Sequence, residues 1–223
     1  MKGKKQLGLM LMTFAIALVM CFGVKLQAKA QLDKDAEFYN TGIGNGEAAQ
    51  AVKYIVTKKS SAKSSEEAEN KIGECKVVGV KNSASTIIIQ AYPKDEDGYV
   101  YHTVGICNGA FRDNKKLKYV QINAGMGTKE IAAYAFSGCS NLKKVVIQDS
   151  AINKIGEKAF FNCKKLATFE IYSKKLTKSS VKANAFKNVK KVKVLAPSSS
   201  VAKKYATYFK KRGAKTVTYG SLD

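Results

Sequence analysis

The sequence predicts an α/β solenoid, with parallel strands stacked on one side and short helical turns on the other. Three observations carry that expectation. First, Ala-Phe recurs at Ala110-Phe111, Ala135-Phe136, Ala159-Phe160 and Ala185-Phe186, with phenylalanine spacings of 25, 24 and 26. Second, apolar columns keep step with each Phe. Ile106, Ile131, Ile155 and Val181 stand five before it, and Leu117, Leu142, Leu166 and Val192 six after. Val120, Val145, Phe169 and Leu195 follow nine after; Ile122, Ile147, Ile171 and finally Pro197 follow eleven after. Third, the LxxVxI stretch alternates with the period of a strand, while IxxxAFxxC does not. One such coil has an apolar face with nothing to cover it. Stacking coils about 4.8 Å apart covers that face and pairs the strand backbones.

The elements follow in order. Residues 1–30 read as a signal peptide: a basic head (MKGKKQ), an uncharged apolar stretch over 7–24, and Ala28-Lys29-Ala30 as the exit. An uncleaved anchor helix is the alternative, since 18 apolar residues just span a bilayer. Met20 before Cys21 argues against a lipid anchor. Residues 31–50, with the glycine-rich TGIGNG (41–46), are expected as a flexible leader. Residues 51–103 are expected as an N-terminal β cap, with strands in AVKYIVT (51–57), ECKVVGV (74–80) and STIIIQAY (85–92) and a polar loop over 60–70. Residues 104–197 hold the repeats, with strands near 118–123, 143–148, 167–172 and 191–196. IGEKAFFNC (155–163) suits one short helical turn on the far side. In a helix-strand cap over 198–223, Ser198 or Ser199 caps a helix that begins near Ser200. Val201, Ala202, Tyr205, Ala206 and Phe209 form its apolar stripe, Gly213 stands past its end, and AKTVTY (214–219) closes as a strand.

Charge is unevenly placed. The chain carries +22, and five lysines without an acid in the first 30 residues leave +17 for the remainder. Residues 31–103 hold 9 Lys against 11 acids; residues 104–223 hold 25 Lys and Arg against 6 acids. This asymmetry points to an anionic partner or to solubility alone. Arg112 and Arg212 are the only arginines. Lysine acts as a point charge and suits nonspecific attraction better than base reading, so nucleic acid is disfavoured as a partner.

The unit IGEKAFFNCKKLATFEI (155–171) resembles the BspA-type leucine-rich repeat of bacterial surface proteins, with its IG–AF–C–L–V–I framework. The resemblance covers roughly residues 75–220 and weakens at the ends. Asn114 and Val189 take the Cys position in the first and last units, and Val181-Lys182 replaces Ile-Gly. It implies a leucine-rich-repeat solenoid, a short right-handed arc of parallel strands, secreted or at the surface of a bacterium. It also implies recognition or adhesion, without naming a ligand.

Catalytic and metal chemistry find little support. No CxxC or HxxxH pair suggests zinc, and no cofactor is expected. His102 and Cys107 suggest a Cys–His nucleophile, but Cys107 stands in a repeat column shared with Ala132, Gly156 and Lys182. Cys139 and Cys163 share another column, as two buried thiols or as a bridge between coils; buried thiols are the preferred reading. Gly125 and Gly127 read as a turn.

Two candidate binding surfaces remain. On the strand face the outward residues are Tyr119, Gln121 and Asn123, then Lys144, Val146 and Gln148, then Thr168, Glu170 and Tyr172. A basic edge gathers Lys115, Lys116, Lys164, Lys165, Lys190 and Lys191, interrupted by Ser140-Asn141. The expected function is a monomeric, non-enzymatic, exported binding or adhesion protein. Its partner would be a host or neighbouring-cell protein or glycan, or an anionic cell-wall polymer. A structural spacer or accessory subunit of a surface assembly is the alternative, with a Cys-dependent enzyme third.

Overall fold

The computed structural model describes residues 32–40, 51–62, 71–81 and 84–222. The expected signal peptide, TGIGNG and most of the polar loop lie outside the described residues.

Alternating apolar residues pair six strands into one parallel sheet. These are β4 (Thr86–Ile89), β6 (Tyr119–Ile122), β8 (Lys144–Ile147), β10 (Thr168–Ile171), β11 (Lys191–Ala196) and β12 (Thr216–Ser221), hydrogen-bonded in chain order. Ile87, Val120, Val145, Phe169 and Val194 share one inward register, and all are fully buried. A second sheet has the order β1 (Glu37–Tyr39), β2 (Val52–Lys58), β3 (Gly73–Val80), β5 (Tyr101–Ile106). Phe38 packs there between Tyr54 and Tyr101, with ring centroids at 5.4 and 5.0 Å. Tyr54 Oη accepts the Gln90 N–H at 3.2 Å, which ties this sheet to the end of β4.

Inside the coils the four repeat phenylalanines stack in a row. Phe111–Phe136, Phe136–Phe160 and Phe160–Phe186 are 5.0, 5.3 and 5.3 Å apart, with ring planes within 16° of parallel. Phe169 meets Phe160 and Phe186 edge-on. Helix α1 (Ser199–Lys211) extends the row, since Phe209 stacks on Phe186 at 3.9 Å. Ser198 caps that helix by accepting the Val201 N–H, and Ala202, Tyr205, Ala206 and Phe209 are its buried stripe. Full burial of each phenylalanine side chain stabilises the stack by about 1.5–3 kcal/mol.

Four expectations need correction. The side opposite the strands holds chained β-turns in place of helical turns. In every unit the residues two before and two after Phe have positive φ: Gly109 and Asp113, Tyr134 and Gly138, Lys158 and Asn162, Asn184 and Asn188. A left-handed residue on each side of Phe prevents α-helical winding. It also turns alternate N–H groups toward the next coil. Tyr134, Phe136 and Gly138 donate to Glu157, Ala159 and Phe161 carbonyls at 2.9, 2.8 and 2.7 Å. The turn side is therefore laddered coil to coil as the strand side is. The Ile column adds short strands β7 (Glu130–Ile131) and β9 (Lys154–Ile155), with Ile155 bridging Val181.

Second, β4 is the first strand of the long sheet and does not belong to a separate cap. A cut at 103/104 also falls inside β5. Third, Glu37–Tyr39, within the expected leader, forms β1 against β2. Fourth, the last coil is one residue shorter between its turn and its strand. Phe169 therefore pairs with Val194, and the inward residues of β11 are Val192, Val194 and Ala196. Leu195, placed in the core column by equal spacing, faces outward with Glu170.

Candidate binding surface

The outward residues of the long sheet form three columns fixed by strand register. One runs Thr86, Tyr119, Lys144, Thr168, Lys193, Thr218; the next runs Ile88, Gln121, Val146, Glu170, Leu195, Gly220. The third holds Gln90, Asn123, Gln148 and Tyr172, for which backbone bonds Asn123 N–Ile89 O, Gln148 N–Ile122 O and Tyr172 N–Ile147 O set the alignment.

The structure brings four of the sequence-predicted residues into one polar network. Tyr119 Oη donates to Gln121 Oε1 at 2.9 Å, and Gln121 Nε2 donates to Asn123 Oδ1 at 2.8 Å and to Gln148 Oε1 at 3.4 Å. Asn123 Nδ2 donates in turn to Gln90 Oε1 at 3.0 Å. Lys144 and Glu170 form a separate pair on neighbouring strands at 2.7 Å. That hydrogen bond to Glu170 holds the Lys144 ammonium above its ordinary pKa, and burial raises the Tyr119 phenol. Thr168 stands between Lys144 and Lys193, and Tyr172 is exposed. Val146 is only 5% exposed and offers little to a partner.

Sequence reasoning missed Gln90, Ile88 and Thr86, because β4 precedes the first Ala-Phe and has no frame to count from. It missed Lys193 and Leu195 because the last coil slips by one residue. The alternation in STIIIQAY was the available signal for the first group.

All six lysines of the predicted edge are exposed. Adjacent coils are stitched there by Asn141, which donates to Lys115 O at 2.7 Å and accepts from Lys165 Nζ at 2.8 Å. Lys115 Nζ reaches Gly138 O at 2.8 Å and Asp113 at 3.3 Å. Among the described residues, Asp113 is the only carboxylate within ion-pair distance of these six lysines.

The cysteines are scaffold groups. Cys139 and Cys163 are fully buried with free thiols that donate to Phe111 O and Phe136 O at 3.0 and 3.1 Å. Burial pushes the Cys139 thiol up to about 12 and the Cys163 thiol well above its usual value. Cys75 is likewise buried and pushed up to about 12, 3.6 Å from Thr103 Oγ1. Cys107 is half-buried, and burial raises its pKa, the opposite of nucleophile activation. His102 stacks on Tyr92 at 5.1 Å, and its Nε2 lies 3.0 Å from Gly125 O. Among the described residues no hydrogen bond or ion pair joins it to Cys107. Among the described residues no His, Cys, Asp and Glu cluster is built to hold a metal, and no helix is long and apolar enough to cross a membrane.

Stacked coils, laddered on both sides and filled by one phenylalanine row, define a leucine-rich-repeat solenoid. The chain belongs to the BspA type leucine rich repeat family, which matches six copies over residues 102–221. Its fold is similar to that of a leucine rich cell surface protein from Faecalibacterium prausnitzii A2-165, at 24% identity and a TM-score of 0.50. That match covers 84% of this chain and 43% of the other, so the chain spans less than half the length of that protein. A leucine-rich repeat protein from Bacteroides ovatus ATCC 8483 matches at 14% identity and a TM-score of 0.32, covering 77% and 70% of the two chains. No curated protein matches the sequence.

Proposed function

We propose that this chain is a secreted or cell-surface binding protein that recognises a protein or glycan through the outward face of its long sheet. The observation that carries the reading is the hydrogen-bonded set Tyr119, Gln121, Asn123, Gln148 and Gln90, held along three neighbouring strands of a rigid ladder. Polar groups ordered before a partner arrives lose less entropy on binding than mobile ones do. Exposed Tyr172 next to this set adds the kind of amphipathic side chain that dominates recognition surfaces. Family membership and the likeness to a cell surface protein support placement outside the cell. The lysine edge favours anionic partners, including a wall polymer that would retain the protein.

The test is a binding screen of the purified protein against matrix proteins and glycans, repeated with Gln121→Ala and Tyr172→Ala combined. Binding to one class, lost in the double variant with the fold intact, is expected. A partner held equally well by the variant would remove the strand face from the account. A structural spacer within a surface assembly is the second reading. Light scattering that shows concentration-dependent self-association would favour it, and a clean monomer counts against self-assembly.

A further inference from the structure

The basic edge is longer than the residue columns alone suggested. Lys118 and Lys143 are exposed beside it, and their backbones are joined by Lys143 N–Lys118 O at 2.8 Å. At the far end Lys215 N donates to Val189 O and Thr216 N to Lys190 O, so exposed Lys215 stacks next to Lys190. Lys115, Lys116, Lys118, Lys143, Lys164, Lys165, Lys190, Lys191 and Lys215 thus form a band across five successive coils. Asp113 is the only carboxylate among the described residues that any of these nine lysines pairs with.

We infer that this band holds a linear acidic polysaccharide laid across the coils, about one acidic sugar to each coil. The proposal rests on the reading of the chain as a binding protein and names the partner of its edge. Charge complementarity is the first argument. Lysines stacked on adjacent coils repel one another within the screening distance of about 8 Å, and a polyanion relieves that repulsion along the whole row. Geometry is the second. Coils repeat every 4.8 Å or so, close to the length of one pyranose, so a chain with one carboxylate or sulfate per sugar runs in step with the lysines. Duplex nucleic acid carries a charge roughly every 1.7 Å, nearly three per coil, and is out of step. Chemistry is the third: flexible ammonium groups impose no planar fork and accept anions presented at varying angles along a polymer.

The probe is a series of oligogalacturonates of increasing length, titrated calorimetrically into the purified protein. Affinity is expected to rise with each sugar until the oligomer spans the band, then to level off, and to fall as salt is raised. Lys116→Gln, Lys165→Gln and Lys191→Gln together should weaken binding by about tenfold or more, roughly 1.4 kcal/mol. Lys129→Gln, Lys178→Gln and Lys203→Gln remove the same charge elsewhere and should leave affinity within about twofold. Equal losses in both sets would overturn the proposal, because net charge alone would then explain binding. It is also overturned if the neutral methyl esters bind as well as the acids, or if single-stranded nucleic acid or an acidic protein binds more tightly than any oligogalacturonate. The strand-face variants keep all nine lysines, so their oligogalacturonate binding separates failure of this proposal from failure of the strand-face reading.

Discussion

The Cys139 thiol donates to the carbonyl of Phe111, one coil away, at 3.0 Å. Cys163 repeats the bond to Phe136 at 3.1 Å. A small apolar side chain with a weak donor thus fills the corner of the coil and satisfies a carbonyl of its neighbour. Val189 fills the same place in the last repeat, where shape without a donor suffices.

Substitution at this corner should follow volume first and hydrogen bonding second. Cys163→Ala is expected to cost about 1–3 kcal/mol, through a cavity and a lost bond. Cys163→Val should cost less, because the fold already accepts valine at 189. Urea unfolding midpoints at constant slope check the order, and an alanine variant as stable as wild type contradicts it.

Thiol ionisation gives the pH dependence a sign. Burial raises the folded-state values of Cys75 and Cys139 to about 12 and holds Cys163 well above its usual value. Unfolded thiols ionise near 8.5, so the unfolded chain loses these protons first as pH rises. The stabilising contribution is complete below that value and declines toward the folded values. Cys139→Val removes one such group, so the loss of stability on moving from about pH 8 to about pH 10 should be smaller in the variant. An identical loss in both proteins would sink the assignment.

Left-handed residues on both sides of each Phe should be sensitive to side-chain branching. Asn162 has φ 61°. Asn162→Val is expected to destabilise by about 1–3 kcal/mol, while Asn162→Gly stays close to wild type. Thermal unfolding of the two variants decides the point; equal stability would mean the turn does not require this conformation.

The shortened last coil makes adjacent residues behave oppositely. Val194 is fully buried, and Leu195 faces outward beside Glu170. Val194→Asp should cost more than about 3 kcal/mol, while Leu195→Asp should cost less than about 1 kcal/mol. The reverse order would restore the register that equal spacing suggests.

The parallel strands were legible because β-branched alternation and a fixed Phe frame act together, and β6, β8 and β10 lie where that frame puts them. The turn side was less legible. Tyr134 and Lys158 adopt positive φ against their own preferences, held by inter-coil hydrogen bonds that no local pattern reveals. Asp113, Gly138, Asn162 and Asn188 did carry a signal, since Asp, Gly and Asn at one column tolerate the left-handed region. Tyr119, Gln121, Lys144 and Glu170 could be placed outward by period alone. Their contacts could not be foreseen, because cross-strand hydrogen bonds depend on rotamers, and Gln90 reaches the network from a strand outside the frame.

The most direct test of the stacked-coil account is a double-mutant cycle on Phe136 and Phe160, whose rings lie 5.3 Å apart and 5° from parallel. Leucine at each position and at both, measured by urea unfolding, should give a coupling energy of about 0.5–1.5 kcal/mol. The same cycle on Phe111 and Phe186, at the two ends of the four-ring row, should give about zero. No coupling between the neighbours, or equal coupling between the ends, would contradict a single row of rings shared by successive coils.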